Sequence, residues 1–214
     1  MRNKIVIVIL SILFLFNIVF CIINTSLLLN KEKDISFDEC YKSIVELKIT
    51  YDNIESYGSA ICMNDNSLLT NWHIISNVDS KIYYRSCYDI EYKNANLISY
   101  DIESDLALLE INDSTIKPLI ISKSDVNNGE TVYSIGNTLN QGITISKGIV
   151  SNSNVSYNSL KYICTDNIID YGNSGGALMN SSMELIGITT FKISNNGYSY
   201  SIPLKRVLGF IENN

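Results

Sequence analysis

One serine in the sequence lies in a glycine-rich segment that could carry covalent chemistry. Ser174 follows Gly172-Asn173 and precedes Gly175-Gly176. Glycine lacks a restricting side chain, so such a segment can turn successive N–H groups toward one point. That arrangement stabilises the oxyanion formed when a serine hydroxyl attacks a carbonyl. The segment therefore predicts that Ser174 is a nucleophile; the alternative is a surface turn, since Asn, Ser and Gly are common turn residues.

A serine hydroxyl is a weak nucleophile and needs a general base together with a group that orients the base. The only histidine, His73, lies in the mostly apolar run of residues 68–75. Asp105 opens the apolar run of residues 105–111, which is typical of a central strand. A desolvated carboxylate there can hold an imidazole in one tautomer. The alternatives are a histidine with a satisfied ring and a turn aspartate at a strand entry.

Several short segments occur in a fixed order over about residues 43 to 210. They are Gly58-Ser59-Ala60, Leu68-Leu69-Thr70-Asn71-Trp72-His73, Asp105-Leu106-Ala107-Leu108-Leu109, Val132-Tyr133-Ser134-Ile135-Gly136-Asn137, Gly148-Ile149-Val150-Ser151, Thr165-Asp166 with Gly172-Asn173-Ser174-Gly175-Gly176, Ile186-Gly187-Ile188 and Ser201-Ile202-Pro203. In this order they resemble the chymotrypsin-like serine peptidases, most closely the HtrA/Deg branch. Each segment alone is weak evidence, whereas the ordered set is specific.

The resemblance implies an all-β fold, namely a chymotrypsin-like double β-barrel with a short C-terminal helix. It also implies a serine endopeptidase that hydrolyses protein or peptide substrates through a triad of Ser174, His73 and Asp105, with no cofactor. The backbone N–H groups of Gly172 and Ser174 would form the oxyanion hole. On this basis, Gly172→Val is expected to abolish turnover while sparing the fold.

The chain departs from the family pattern at five positions close to these segments. Ala60 replaces a glycine, Trp72 replaces an alanine, and Thr138, Tyr171 and Ala177 replace prolines. None of these substitutions removes a catalytic group that the resemblance implies. They could alter the path of the oxyanion loop, so they bear on the level of activity more than on the fold.

The composition is that of a folded protein without a polyanionic partner. Of the 214 residues, 46% are hydrophobic and 18% are charged, and the formal net charge is −6, which argues against nucleic acid as a partner. With one histidine and no Cys-x-x-Cys, a metal site of the usual zinc-ligand sets is not expected. Cys40, Cys62, Cys87 and Cys164 allow three disulfide pairings, and the alternative is buried free thiols.

Short runs of β-branched and aromatic residues predict strands from Ile44 onward, beginning with Ile44–Tyr51. Turn signals separate these runs at Asp65-Asn66, Asn127-Asn128-Gly129 and Asn195-Asn196-Gly197. Short helices are expected over Ser36–Ser43, from its capping-box spacing, and over Pro203–Ile211, from its proline start.

The amino terminus has the composition of a membrane segment. Two basic residues precede Ile5–Ile23, and a helix of this length spans roughly 30 Å, the hydrocarbon thickness of a bilayer. We expect residues 1–23 to form a transmembrane anchor, residues 24–35 a linker and residues 36–214 an extracellular peptidase domain. Cleavage of the apolar segment as a signal, followed by secretion, is the alternative.

Two rival functions remain open beside the peptidase. One is a catalytically inactive or latent trypsin-like domain that acts as a surface binding module. The other is an esterase, whose nucleophile lies in a Gly-x-Ser-x-Gly string that residues 172–176 fit. The order of His73, Asp105 and Ser174 and the strand-rich pattern favour the peptidase. The sequence makes no prediction of the oligomeric state.

The resemblance also suggests which residues bind the substrate side chain. Ile168 corresponds to the base of the primary specificity pocket, where trypsin-type enzymes carry an acid. Thr190 and Lys192 correspond to its walls. Glutamyl-specific relatives read the substrate carboxylate with a second histidine, which this chain lacks.

We therefore predict cleavage after small or aliphatic residues, because an apolar pocket base offers no partner to a charged side chain. A peptide-library cleavage profile measures this preference. A profile dominated by basic or acidic residues at the cleaved bond would contradict the assignment of Ile168.

Overall fold

The computed structural model describes residues 13–21, 37–193 and 197–213. The chain separates into two compact units, Met1–Ile35 and Ser36–Asn214. In the first unit, helix α1 covers residues 13–21 and exposes its side chains. Among the described residues, no helix is both long enough and apolar enough to cross a bilayer. Much of the segment 5–23 lies outside the described residues, so the membrane anchor stays a prediction.

The second unit begins with a short helix and a closed antiparallel barrel of six strands, called barrel 1. Helix α2 covers Phe37–Tyr41, and helix α3 covers Trp72–Ile75. The strands are β1 (Ile44–Tyr51), β2 (Ile54–Asn64), β3 (Ser67–Thr70), β4 (Lys81–Ser86), β5 (Lys93–Asp101) and β6 (Leu106–Glu110). Around barrel 1 the strands follow the order β1-β2-β3-β6-β5-β4.

A second closed barrel of six strands, called barrel 2, follows in the chain. Its strands are β7 (Thr131–Asn137), β8 (Ile143–Tyr157), β9 (Leu160–Thr165), β10 (Ala177–Asn180), β11 (Leu185–Lys192) and β12 (Ser199–Pro203). They follow the order β10-β11-β12-β9-β8-β7. A 3₁₀ turn at Thr138–Asn140 joins β7 to β8, and helix α4 covers Leu204–Glu212.

Alternating side chains explain why these runs form strands around two cores. In β4, for example, Ile82, Tyr84 and Ser86 are buried while Lys81 is exposed, which is the period of two expected for a pleated strand. Apolar side chains from all six strands fill barrel 1, and a smaller cluster fills barrel 2. Closure of both barrels pairs every strand on both sides, so neither sheet presents an open edge.

The predicted double barrel with a short C-terminal helix is confirmed. Strand β1 has the predicted bounds Ile44–Tyr51, and α2 lies inside the predicted helix Ser36–Ser43. Pro203 caps α4 instead of forming its first helical residue, since its ψ of 145° is extended. The predicted turn at residues 195–197 lies partly outside the described residues.

The four cysteines of the second unit carry free thiols, and three of them fit the sequence-based alternative of buried free thiols. Cys40, Cys62 and Cys164 are buried, whereas Cys87 is exposed. Burial raises the pKa of Cys40 and of Cys62 to about 11. The thiolate is the reactive form, so these two buried thiols are poor nucleophiles.

Candidate active site

The three candidate catalytic residues lie on connections between strands, two within barrel 1 and one within barrel 2. His73 is in α3, directly after β3, and Asp105 directly precedes β6. Strands β3 and β6 are antiparallel neighbours, with Thr70 opposite Ala107. The end of one strand therefore lies beside the start of the other, and barrel 1 alone brings the histidine and the aspartate together. Ser174 belongs to barrel 2, in the segment that leads into β10.

Asp105 binds His73 through both carboxylate oxygens. The backbone N–H of His73 donates to Oδ1 at 2.9 Å, and Nδ1 of the ring lies 2.8 Å from Oδ2. A carboxylate only accepts, so Nδ1 carries a proton in this contact, which selects the tautomer with a lone pair on Nε2 when the ring is neutral. The His73 side chain is 48% exposed, which leaves the ring accessible to a substrate.

The backbone of Asp105 is held in an uncommon conformation. Its φ of 55° lies in the left-handed region, which aspartate tolerates better than most residues. The buried side chain of Asn71 donates from Nδ2 to the Asp105 carbonyl at 2.9 Å. The backbone N–H of Trp72 donates to the same oxygen at 3.3 Å. These bonds aim the carboxylate at the histidine.

Thr190 connects the acid to the serine. Its hydroxyl donates to Oδ2 of Asp105 at 2.9 Å, and its carbonyl accepts from the Ser174 hydroxyl at 2.8 Å. The residue is 3% exposed and lies in β11 of barrel 2. Sequence analysis assigned Thr190 only to the wall of the specificity pocket. The signal that could have indicated more is a pair of threonines in an otherwise apolar strand, where a buried hydroxyl needs a partner.

The structure brings His73 and Asp105 into direct contact and joins Ser174 to them through Thr190. Within the described part of the chain, the hydrogen bond of the Ser174 hydroxyl goes to Thr190 and not to His73. Catalytic hydrogen bonds are often absent or long before a substrate binds. In this arrangement Asp105 orients the candidate base His73, and the candidate nucleophile Ser174 donates to the Thr190 carbonyl.

The serine loop, residues 170–176, is held by its carbonyl groups. The Tyr171 carbonyl accepts from the Leu139 N–H at 2.7 Å, and the Asn173 carbonyl accepts from the Gly176 N–H at 2.9 Å. The backbone N–H groups of Gly172 and Ser174, in contrast, have no acceptor among the described residues. Two donors are therefore available beside the serine hydroxyl.

Two glycines of this loop are required by close packing as well as by backbone angle. Gly172 has φ +92°, and a Cβ at this position would overlap the carbonyl oxygen of Asn137. Gly175 has φ +82°, and a Cβ there would overlap the carbonyl of Ser59. The expectation that Gly172→Val spares the fold is therefore wrong, because the larger side chain cannot enter without moving backbone.

Two substituted positions make contacts that the family's usual residues could not make. The Thr138 hydroxyl donates to Oδ1 of Asn173 at 3.1 Å, a bond unavailable to proline. The Trp72 ring stacks on Tyr100 with centroids 4.0 Å apart and also packs against the core of barrel 1. These contacts support the serine loop and the histidine segment respectively.

Of the three candidate specificity residues, Ile168 and Lys192 lie at the surface, whereas Thr190 is buried. Ile168 is 82% exposed, and its N–H donates to the Ser146 hydroxyl at 2.8 Å. The Lys192 ammonium pairs with Asp170 at 3.0 Å and holds the pKa of that carboxyl below its ordinary value. The pair joins the end of β11 to the start of the serine loop. The assignment of Ile168, Thr190 and Lys192 to a pocket stays a prediction.

Comparison with known proteins identifies similar chains. Residues 58–188 match the family model described as a trypsin-like peptidase domain. The serine protease HTRA1 of Xenopus tropicalis is 34% identical over 160 residues, which cover 71% of this chain and 34% of that protein. The serine endoprotease DegS of Haemophilus influenzae is 36% identical over 166 residues, which cover 71% of this chain and 48% of that protein. The chain thus spans between a third and a half of the length of these relatives.

The similarity extends to three dimensions. A crystal structure of the serine endoprotease from Yersinia pestis superposes with a TM-score of 0.73 at 29% sequence identity. The superposition covers 83% of this chain and 66% of that chain. The double barrel is therefore shared with a solved serine endoprotease.

We predict that Gly172→Ala lowers the free energy of unfolding more than Gly142→Ala does. The two glycines have nearly equal φ, +92° and +94°, but a Cβ at Gly142 meets nothing within 4 Å. The shared backbone strain costs about 1–3 kcal/mol, and the overlap with Asn137 adds about 1–3 kcal/mol. Chemical denaturation of the two variants measures the difference, and equal losses would show that packing against Asn137 is unimportant.

Proposed function

Because the chain belongs to the trypsin-like peptidase family, as the match over residues 58–188 shows, we propose that it is a serine endopeptidase acting on protein or peptide substrates. Ser174 is the nucleophile, His73 the general base and Asp105 the group that orients the base. The observation that carries this proposal is the position of Thr190, which binds Asp105 with its hydroxyl and Ser174 with its carbonyl.

The first chemical step starts when the Ser174 hydroxyl leaves the Thr190 carbonyl and donates to Nε2 of His73. Rotation about χ1 moves a serine hydroxyl between staggered positions. His73 then accepts the proton as the serine oxygen attacks the peptide carbonyl, and it later gives this proton to the departing amine. Water, activated by the same ring, hydrolyses the acyl-enzyme and restores the serine.

Asp105 keeps the base in the productive form throughout this cycle. Its bond to Nδ1 selects the tautomer with a free Nε2 and stabilises the imidazolium that forms during attack. Its bond to the His73 backbone fixes the distance between the two residues. From barrel 2, the Thr190 hydroxyl donates a hydrogen bond to Oδ2 of Asp105.

The free N–H groups of Gly172 and Ser174 stabilise the oxyanion in this proposal. Donors that are already in place need not reorganise when negative charge develops, and one such donor is worth about 3 kcal/mol in the transition state. The carbonyls of residues 170–174 and 176 accept from other N–H or O–H groups, and neither of the two donors has an acceptor among the described residues.

Substrate preference follows from the surface around the serine loop. The exposed side chain of Ile168 offers apolar area where an acidic residue would bind Lys or Arg. The charge of Lys192 is countered by Asp170, so it attracts an acidic substrate side chain less than a lone ammonium would. We assign Ile168, Thr190 and Lys192 to a pocket for small or aliphatic side chains.

The proposed location is a membrane surface outside the cytoplasm. The support for it is the sequence alone: the apolar run Ile5–Ile23 preceded by two basic residues. Short positively charged termini stay inside while long domains are translocated. The peptidase unit would then lie outside, tethered through residues 24–35.

The proposed nucleophile is tested by labelling the full chain with a fluorophosphonate, which reacts only with an activated serine. We expect wild type and Ser114→Ala, which alters an exposed serine in the connection between β6 and β7, to label equally. Ser174→Ala should not label, and His73→Ala should label at least about a hundredfold more slowly because the general base is lost. Failure of the folded wild type to label would support the inactive binding module instead.

The proposed anchor is tested by washing membranes of expressing cells with alkaline carbonate. The full chain should remain in the membrane pellet at its full mass, because a spanning helix is not released by high pH, whereas a variant lacking residues 2–23 should be soluble. Recovery of a shortened chain in the medium would instead establish cleavage and secretion.

A further inference from the structure

Ser59 is a buried residue of barrel 1 that reaches into the serine loop of barrel 2. It lies in β2 and is 0% exposed. Its hydroxyl donates to the Gly172 carbonyl at 2.7 Å, and its backbone N–H donates to the Ser174 carbonyl at 2.9 Å. One residue therefore binds the loop on both sides of Asn173.

The Ser59 hydroxyl also accepts a hydrogen bond, so both of its bonding functions are used. The backbone N–H of Asn137, at the end of β7, donates to the hydroxyl at 2.8 Å. The next turn of the chain supplies the Leu139 N–H that binds the Tyr171 carbonyl. Ser59 thus links the serine loop to the segment that supports it from the other side.

These contacts determine where the two free donors point. In a planar trans peptide the C=O and N–H groups point in opposite directions. The peptide that carries the Gly172 N–H is fixed through the Tyr171 carbonyl, and the peptide that follows Gly172 is fixed by the Ser59 hydroxyl. The peptide that carries the Ser174 N–H lies between the two carbonyls that Ser59 binds. Rotation of that peptide would break the hydrogen bond from the Gly176 N–H to the Asn173 carbonyl, and the two bonds from Ser59 hold the flanking peptides in place.

We propose that Ser59 is a positioning residue that holds the N–H groups of Gly172 and Ser174 in place for oxyanion stabilisation. This inference rests on the proposed function and adds to it a residue of the other barrel that touches no reacting atom. The packing at this contact is close: a Cβ on Gly136 would come within 2.8 Å of the Ser59 hydroxyl.

The test compares Ser59→Ala with Ser134→Ala in the full chain. Ser134 is also buried, at 3% exposure, but its hydroxyl has no hydrogen-bond partner among the described residues, so it controls for loss of a buried hydroxyl. We expect Ser59→Ala to slow fluorophosphonate labelling about tenfold to a hundredfold. This loss does not exceed the effect of removing one oxyanion donor. Ser134→Ala should label within about twofold of wild type, since it leaves the donors untouched.

A second readout separates positioning from general structural damage. A peptidyl boronic acid ending in valine forms a tetrahedral adduct with the serine and uses the oxyanion donors, whereas the matching peptide with a free carboxylate does not form that adduct. Ser59→Ala should lower the affinity for the boronic acid by the same factor by which it slows labelling. The affinity for the plain peptide should change by no more than about twofold. Ser59→Cys, which retains a weak donor, should give intermediate values.

The outcomes distinguish this inference from the proposed function. If Ser59→Ala labels as fast as Ser134→Ala, or loses boronic acid and plain peptide affinity equally, the positioning role is overturned while the peptidase stands. If folded wild type does not label at all, both fail together. If Ser59→Ala does not fold, Ser59→Cys decides the question, because wild-type labelling and boronic acid affinity in that variant would overturn the proposal.

Discussion

Two closed barrels can pack face to face only if the polar groups between them find partners, because an unpaired buried donor or acceptor costs about 1–3 kcal/mol. Three short polar side chains meet this requirement. Ser59 and Asn71 reach from barrel 1 to the serine loop, and Thr190 reaches from barrel 2 to Asp105. The candidate active site lies among these same bonds. Its geometry is therefore determined by the contacts that hold the barrels together.

Asn71 shows how one side chain serves both barrels. Its Nδ2 donates to the Asp105 carbonyl, and its Oδ1 accepts from the Gly175 N–H at 2.7 Å. The Asn71 amide thus links the backbone of Asp105 to the backbone next to Ser174 through two hydrogen bonds. At Gly175, which donates this bond, the Ser59 carbonyl occupies the space that a side chain would need. Close approach of two backbones, more than freedom to bend, explains glycine at this position.

The parts of the molecule that could be predicted from the sequence are those with a local or ordered pattern. The alternation in Ile44–Tyr51 is visible in a window of eight residues, and the order of the motifs led to the double barrel. The contact between His73 and Asp105 followed from the same order. Each of these inferences depends on residue type at fixed spacing, which a single sequence contains.

The contacts between barrels could not be predicted, because they join residues far apart in the chain. Ser59 and Gly172 are separated by 113 positions, and no spacing rule connects them. The hydroxyl of Thr190 was likewise read as part of a pocket wall, since the sequence does not show which way a strand residue faces at an irregular pairing between Thr189 and Phe191. The stacking of Trp72 on Tyr100 was invisible for the same reason.

The division of the site between the barrels has a consequence for the newly made chain. Barrel 1, which is synthesised first, contains the imidazole and its carboxylate, while the serine belongs to barrel 2. A nascent polypeptide in which only the first half has folded holds a base without a nucleophile. Under the proposed mechanism, hydrolysis requires docking of the second half, so a half-made chain would have no peptidase activity.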